Sequence, residues 1–214
     1  MSQETKEMNY EAYVKEYVER AKKAQAIFAA YTQKQVDQLC AAIAYEMTRP
    51  AVKEELAHLA LEESELGDYD SKLAKIEKKV KGMFMEIKHE KTVGIVEEIP
   101  ERGLRRIKKP VGVIGSLIPS TQPEMIPITT AMCTVKSRNA VIMAPHPRGK
   151  RTTFHTVEIM RKILKRYGAP EDILQCVDMV KIAVTNEIMK QSDLVIATGG
   201  AGMVKAAYSS GTPG

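Results

Sequence analysis

The spacing of the hydrophobic residues predicts helices through about the first 91 residues of the chain. The clearest pattern begins at Thr32 and Gln35, whose three-residue separation is that of a capping box, a reciprocal pair of hydrogen bonds found at helix starts. Behind this pair, apolar residues recur at helical intervals and predict a helix that packs by one face. That stripe consists of Val36, Leu39, Cys40, Ile43 and Met47.

Two more helices are predicted in the same stretch. Pro50 suits the first position of a helix, and the apolar pattern behind it ends near Gly67. A charged helix follows over about residues 71–88. Its inward face would carry Leu73, Ile76, Val80 and Phe84. We therefore expect residues 1–91 to form a helical segment that packs on the remainder of the protein.

The pattern becomes an extended one at Thr92. The segments TVGIVEEIP and GLRRIKKP read as strands, and residues 101–103 lie between them. Two such segments around a short turn predict a β-hairpin, which we place at residues 92–110.

Beyond Pro110 the chain contains four short apolar segments rich in β-branched residues: VGVIGSLI, NAVIMA, DILQCV and DLVIA. Strands of this kind are typical of a parallel sheet that helices cover on both faces. The stretches between them have the length of helices, predicted at about residues 124–136, 152–167 and 183–191. Residues 111–214 thus follow a β-α-β-α-β-α-β-α order, which predicts an α/β fold with a doubly wound, mostly parallel, Rossmann-like sheet, an architecture typical of nucleotide binding.

Composition narrows the class of protein. The chain has 214 residues, of which 44% are hydrophobic, enough for one large or two small domains with a core of ordinary size. Its longest apolar segments are far shorter than the ~20 residues of a membrane-spanning helix. The charged N-terminus has no signal-peptide pattern. We therefore expect a cytoplasmic protein that does not bind membranes.

Charge and aromatic content argue against nucleic acid as a partner. The net charge is +5, and only 5% of the residues are aromatic, with no tryptophan to stack on bases. Cys40, Cys133 and Cys176 are widely spaced, without a CxxC pair or a histidine at ligand spacing, so we expect neither disulfides nor a metal site. Each cysteine lies in an apolar stretch, which predicts buried thiols with raised pKa values and no catalytic nucleophile among them.

Ligands of open parallel sheets bind beyond the carboxyl ends of the strands, and three such ends are unusual in this chain. The first, IPSTQPEMIP at residues 118–127, places Ser120 and Thr121 in a loop that three prolines make rigid. Such a loop would present hydroxyl and N–H groups to a ligand. An ordinary rigid turn before a helix is the alternative interpretation.

The second strand end, APHPRGKR at residues 144–151, sets His146 between two prolines and places Arg148, Lys150 and Arg151 near a helix start. The helix dipole disfavours cations at that end of a helix. Two interpretations fit this pattern: a site for a phosphate-bearing ligand, or a solvated helix start.

The third strand end is the glycine-rich segment ATGGAG, which leaves the last strand and begins a helix. Gly199, Gly200 and Gly202 would allow close approach to the backbone, and the helix start would offer N–H donors, which suits a pyrophosphate. The spacing is that of neither GxGxxG nor the P-loop, so the pattern alone is a weak signal.

Taken together, PVGVIGSLIPSTQP, RNAVIMAPHPRGK and ATGGAGMVKAAYSSG resemble the aldehyde dehydrogenase superfamily, and within it the coenzyme A-acylating branch. The resemblance extends from about Val36 to the last residue. Typical members carry a lysine and a glutamate for the adenosine ribose where this chain has Ala144 and Pro147, and a tryptophan and an asparagine where it has Ser120 and Thr121. The acylating branch shares these departures, although it commonly has asparagine at the place of Gln122.

The resemblance implies a reaction. Enzymes of this branch oxidise an aldehyde to an acyl-CoA with NAD or NADP, or run the reverse reaction. A cysteine thiolate attacks the aldehyde, a hydride passes to the nicotinamide, and coenzyme A cleaves the resulting thioester. Acetaldehyde, propionaldehyde, succinate semialdehyde and sulfoacetaldehyde are all substrates of such enzymes, and the sequence does not choose among them.

The resemblance also implies which residues bind the cofactor. The nicotinamide side would be lined by Ile118, Pro119, Ser120 and Thr121. Thr121 occupies the position of the asparagine that helps to form the oxyanion hole in the wider superfamily. The adenosine would be bordered by His146, Pro147 and Arg148, and the turn beside the nucleotide would contain Gly199, Gly200 and Met203.

The nucleophilic cysteine of this family lies in a second domain, downstream of the glycine-rich turn. We therefore expect this chain to be the cofactor-binding half of a larger enzyme and inactive by itself, with a dinucleotide-binding domain that is incomplete at its C-terminal end. The hairpin resembles the family's oligomerisation element, which implies a homodimer or homotetramer. A stand-alone, non-catalytic nucleotide-binding module would carry the same motifs and is the alternative.

Overall fold

Four helices form the first part of the protein in the computed structural model, which describes residues 9–214. They are α1 (Tyr10–Phe28), α2 (Gln33–Met47), α3 (Pro50–Ser64) and α4 (Tyr69–Ile87). The capping box that begins α2 is confirmed: the Thr32 side chain accepts from the Gln35 N–H, and the Gln35 side chain accepts from the Thr32 N–H at 2.8 Å. The predicted stripe of α2 is buried throughout, as the spacing requires.

A two-stranded antiparallel hairpin follows the helices, as predicted. Strands β1 (Gly94–Ile99) and β2 (Leu104–Lys108) pair with each other, and the turn between them contains Gly103 in the left-handed conformation at φ 61°. Ile95, Leu104 and Ile107 are each at least half exposed. The hairpin therefore presents apolar side chains that the rest of residues 9–214 does not cover.

The remaining elements form the doubly wound sheet that the sequence predicts. Its strands are β3 (Val113–Leu117), β4 (Ala140–Ala144), β5 (Leu174–Cys176) and β6 (Leu194–Ala197), all parallel, in the spatial order β5-β4-β3-β6. The helices between and after them are α5 (Ile126–Lys136), α6 (Lys150–Arg166), α7 (Ile182–Gln191) and α8 (Ala201–Tyr208). The order reverses between β3 and β6, so a crevice opens beyond their carboxyl ends.

Helices cover both faces of this sheet. Helices α1 and α7 pack together on one face, while α5 and α6 pack on the other and α2 lies over them. Both faces of β3 and β4 are buried, which explains their continuous apolar sequences. No helix among residues 9–214 is both long enough and apolar enough to cross a lipid bilayer.

A polar cluster joins the hairpin to the sheet. Buried Lys136, at the end of α5, donates to Asp37 on α2 at 2.5 Å and to the Lys88 carbonyl at 3.2 Å. The Asn139 side chain accepts from the N–H groups of Val111 and Gly112 at 2.7 and 3.0 Å. These bonds fix the chain on either side of the hairpin.

One expectation about the cysteines is wrong. Cys40 and Cys176 are buried, and burial raises the pKa of Cys40 to about 12 and that of Cys176 still further. Cys133, in contrast, is exposed, although partial desolvation and the nearby Glu86 carboxylate raise its pKa as well. Its neighbours Met132 and Thr134 are both buried, and position 133 falls on the outer face of α5 because a helix turns by 100° per residue.

Candidate functional site

The loop after β3 is held from beneath by a buried ion pair. Ile118 prolongs the strand pairing by donating to the Ala144 carbonyl at 2.9 Å, and the chain then turns through Ser120 and Thr121 towards α5. Glu124, just before α5, is fully buried, and its carboxylate lies 3.7 Å from the ammonium of Lys72 on α4, which is itself 3% exposed. No local sequence pattern indicates this pairing, because Lys72 and Glu124 are 52 positions apart in the chain.

Desolvation dominates the electrostatics of Glu124. Burial raises the pKa of its carboxyl above the ordinary value, and Lys72 opposes that rise. Within the described part of the chain neither carboxylate oxygen accepts a hydrogen bond. The pair therefore gives the loop a fixed position at the cost of a carboxylate that is poorly solvated.

The segment after β4 lies directly against this loop. A Cβ atom added at Gly149 would lie 2.6 Å from the Cβ of Pro123, so only glycine allows the two segments to approach so closely. Thr153 reinforces the contact by donating to the Pro123 carbonyl at 3.2 Å. The two strand ends therefore form one continuous wall.

His146 faces the space beside this wall. Its Nδ1 atom accepts a hydrogen bond from the Arg148 N–H at 3.1 Å. In the neutral ring the proton is then carried by Nε2, which is left as a donor for a ligand.

Two of the three basic residues that follow His146 have side-chain partners within the protein, and the third, Lys150, is exposed. The Arg148 guanidinium donates to the Ser64 carbonyl at 2.5 Å, and Arg151 forms an ion pair with Glu62 at 3.3 Å. The first N–H groups of α6 are bonded to the Glu63 carboxylate, at 2.7 Å from Arg151 and 2.8 Å from Thr152. An acidic residue from α3 thus accepts from the first N–H groups of this helix, where the two interpretations of the segment expect a phosphate or solvent.

The glycine-rich turn after β6 leaves room for a ligand. A Cβ atom at Gly199 would lie 2.8 Å from the Met203 sulfur, so a larger residue there would require the Met203 side chain to shift. A Cβ atom at Gly200 or Gly202 would meet no protein atom within 4 Å. Gly200 is the N-cap residue of α8 and offers no side chain to the first N–H groups of that helix. The Met203 N–H donates to the Gly200 carbonyl at 3.0 Å, which leaves the N–H groups of Ala201 and Gly202 as donors for an incoming anion.

Two adjoining cavities lie beyond the strand ends. The larger, about 610 Å³, is mainly apolar and lies between the ends of β3 and β4, the segment 180–182 after β5, and the facing sides of α7 and α8. The smaller, about 420 Å³, lies between the loop after β3 and the glycine-rich turn. His146 and Met203 line both cavities.

Nine of the ten predicted cofactor residues line these cavities. Ile118 and Pro147 line the larger one. The smaller cavity is lined by Pro119, Ser120, Thr121, Gly199 and Gly200 together with the shared pair His146 and Met203. Arg148 lines neither cavity, because its side chain is directed to Ser64.

Sequence reasoning missed one wall of the larger cavity. Ile182, Thr185, Asn186 and Met189 line it from α7, and Val180 and Lys181 line it from the segment before that helix. The four helical residues are spaced at i, i+3, i+4 and i+7, which places them on one helix face and was the available signal. Segment 178–181 is itself held by α1, since the Tyr13 hydroxyl bonds to Asp178 and accepts from the Met179 N–H.

Comparison with known proteins identifies the family. The sequence model of the aldehyde dehydrogenase family matches residues 4–212, so the chain belongs to that family. It is 46% identical over 209 residues to the succinate-semialdehyde dehydrogenase (acetylating) of Clostridium kluyveri, and 42% identical over 200 residues to the sulfoacetaldehyde dehydrogenase (acylating) of Bilophila wadsworthia. These similarities confirm the resemblance to the acylating branch.

A solved structure confirms that this chain has the fold of the acylating branch. An acetylating aldehyde dehydrogenase from Geobacillus thermoglucosidasius superposes with a TM-score of 0.91 at 37% identity, over 95% of this chain and 45% of the other. The alignment with the Clostridium kluyveri protein covers 96% of this chain and 45% of that protein. The alignment with the Bilophila wadsworthia protein covers 94% of this chain and 43% of that protein. This chain thus spans a little under half the length of these three relatives.

Proposed function

We propose that this chain is the cofactor-binding half of a coenzyme A-acylating aldehyde dehydrogenase, which converts an aldehyde, coenzyme A and NAD or NADP into an acyl-CoA and the reduced cofactor, reversibly. The observation that carries the proposal is the convergence of three strand ends, from β3, β4 and β6, on two adjoining cavities. One is apolar and sized for an adenosine, and the other is lined by a hydroxyl-bearing loop and a glycine-rich helix start.

The residues present fit a dinucleotide. The larger cavity, with its apolar walls from α7 and α8, would take the adenosine, and His146 at the junction would donate from Nε2. The open space above Gly200 and the uncapped start of α8 would take the pyrophosphate. When bound, the nicotinamide supplies a hydride acceptor or donor, and Ile118, Pro119, Ser120 and Thr121 would orient it.

Solved structures similar to this chain carry such ligands. A propionaldehyde dehydrogenase of Rhodopseudomonas palustris, 25% identical with a TM-score of 0.82, holds propionyl-CoA. An engineered glycolyl-CoA reductase, 25% identical with a TM-score of 0.80, holds NADP+. We propose that the same classes of ligand, a nicotinamide dinucleotide and coenzyme A, bind this protein.

The proposed reaction also needs a nucleophilic thiolate, which we assign to a part of the enzyme outside residues 9–214. Cys40 and Cys176 are buried with raised pKa values, and Cys133 lies on the outer face of α5, so we assign the nucleophilic thiolate to a second domain. Thr121 would then lie beside the reacting carbonyl. The hairpin at residues 92–110, with exposed Ile95 and Ile107, is proposed as the contact between subunits of a cytoplasmic homodimer or homotetramer.

The test is an acyl-CoA reductase assay of the full-length protein. NADH or NADPH oxidation would be followed with acetyl-CoA, propionyl-CoA, succinyl-CoA and sulfoacetyl-CoA, together with the reverse reaction from each aldehyde. The proposal predicts CoA-dependent turnover of at least one pair. Binding of NAD without turnover of any pair would instead support a non-catalytic nucleotide-binding module.

A further inference from the structure

The larger cavity contains one fixed positive charge and no negative one. Of the residues that line it, Lys181 is the only lysine or arginine, and no aspartate or glutamate is among them. A Rossmann-type site that prefers NAD commonly has a carboxylate near the end of the second strand, where it accepts from the ribose 2′-hydroxyl and repels a phosphate. Here that strand is β4, and it ends in Ala144, Pro145 and His146.

Lys181 is held at the edge of this cavity by α1. Its ammonium donates to the Tyr10 hydroxyl at 3.1 Å and lies 5.3 Å from the centre of the Tyr10 ring. The nearby Asp178 carboxylate is bonded to Tyr13 and Tyr17 instead. Within residues 9–214, Lys181 forms no ion pair, so two of its three N–H groups are free for a ligand.

The other cations close to the end of β4, which are Arg148, Lys150 and Arg151, do not line the larger cavity. Arg148 donates to the Ser64 carbonyl, and Arg151 pairs with Glu62. The first N–H groups of α6 are bonded to Glu63. Among the described residues, Lys181 is therefore the basic side chain in position to meet an anion that enters the larger cavity.

We propose that Lys181 is a specificity-determining residue that binds a phosphate carried on the adenosine ribose of the ligand. Two ligands of the proposed function carry such a group: NADP on its 2′-oxygen and coenzyme A on its 3′-oxygen. The inference rests on the proposed function, because it assumes that the larger cavity takes an adenosine. A lysine acts as a point charge, so it accommodates either phosphate position without the fixed geometry of an arginine.

The test uses the full-length protein and two pairs of ligands that differ by one phosphate. Dissociation constants for NADP and NAD, and for coenzyme A and 3′-dephospho-coenzyme A, are measured by calorimetry with the unmodified protein, Lys181→Met and Lys181→Arg. Lys181→Met is expected to weaken NADP, coenzyme A or both by about tenfold, equivalent to ~1.4 kcal/mol, and to change the dephosphorylated ligands by less than about twofold. Lys181→Arg keeps the charge and should retain the preference.

A matched control removes a lysine from α7, the helix that follows Lys181, at a position outside the cavity. Lys190 on α7 is exposed and pairs with Glu187, so Lys190→Met should leave all four constants unchanged. A loss of affinity confined to NADP would show that Lys181 binds the 2′-phosphate of the dinucleotide. A loss confined to coenzyme A would show that it binds the 3′-phosphate of that ligand. Both results support the proposal.

Two results would overturn the assignment while leaving the proposed function intact. In the first, the unmodified protein binds these ligands, and Lys181→Met leaves two ratios of dissociation constants unchanged: that of NADP to NAD, and that of coenzyme A to 3′-dephospho-coenzyme A. The other is an equal weakening of all four ligands, which would mean that Lys181 acts only as a wall of the cavity. If the unmodified protein bound none of the four, both the proposed function and this inference would fall.

Discussion

Glu63, at the end of α3, caps α6 through Thr152: one carboxylate oxygen accepts from both the N–H and the hydroxyl of Thr152, each at 2.8 Å. The other oxygen accepts from the Arg151 N–H at 2.7 Å. A helix start that sequence patterns associate with phosphate is thereby neutralised from within the protein. The contact also joins the helical segment to the region of the parallel sheet.

Removing this cap should destabilise the fold. Glu63→Ala leaves the first N–H groups of α6 without their partner, so we expect the free energy of unfolding to fall by about 1–2 kcal/mol. Chemical denaturation of the full-length protein measures the change. The control is Glu62→Ala, which breaks an exposed pair with Arg151 and should cost less than about 0.5 kcal/mol. Equal effects of the two substitutions would contradict the capping role.

The buried pair of Lys72 and Glu124 should behave as a coupled unit. Lys72→Met strands the Glu124 carboxylate in the interior and should cost about 3 kcal/mol at neutral pH, whereas Lys72→Met combined with Glu124→Gln should recover most of that loss. Urea unfolding of both variants and of Glu124→Gln alone completes the cycle. Arg105→Met in the exposed pair with Glu98 is the control and should cost below about 1 kcal/mol. Additive losses would show that the two charges do not interact.

The raised pKa of Glu124 predicts how the stability of the protein depends on pH. The pKa of Glu124 is raised in the folded protein, so the folded state holds that proton more tightly than the unfolded state. Its contribution to stability is therefore present below the ordinary carboxyl pKa of ~4.3 and is lost as the pH rises through the raised value. Subtracting the stability of Glu124→Gln from that of the unmodified protein should give a difference that falls with increasing pH above ~4.3. A difference that rises would mean that the pKa is lowered.

Gly200 provides a test of the glycine-rich turn. Gly200→Val adds a side chain where no protein atom lies within 4 Å, in a backbone conformation that valine adopts readily (φ −69°, ψ 163°), so the fold should be retained. A bound pyrophosphate would meet that side chain, and we expect the dissociation constant for NAD to rise at least about tenfold. Calorimetry on the full-length protein measures it. Gly82→Val, at an equally open site on α4, should leave NAD binding unchanged.

The layers of the fold were predictable because each depends on a local pattern. The period of α2, its capping box and the apolar strands β3 and β4 are written in consecutive residues. Bounds were less accurate: β5 is three residues long, and its approach is a 3-10 turn at Glu171–Ile173. The length of β5 is set by its pairing with β4, which involves only three residues of each strand. No local sequence pattern specifies how many residues of two separate strands will pair.

The strand-end residues of the site were predictable in the same way, because parallel strands bring their carboxyl ends to one edge. Contacts between distant elements were not. Glu63 with Thr152, Lys72 with Glu124 and Lys181 with Tyr10 join residues 89, 52 and 171 positions apart. Arg148 illustrates the difference: its N–H donates to the nearby His146, but the partner of its guanidinium, the Ser64 carbonyl, comes from α3.

The most direct test of the central claim is a crystal structure of the full-length protein with NAD or NADP bound. The account predicts the adenosine between α7 and α8, in contact with Met189 and Ala206, and the pyrophosphate above Gly200 at the start of α8. A dinucleotide bound elsewhere, with both cavities at the ends of β3, β4 and β6 filled only by water, would contradict it.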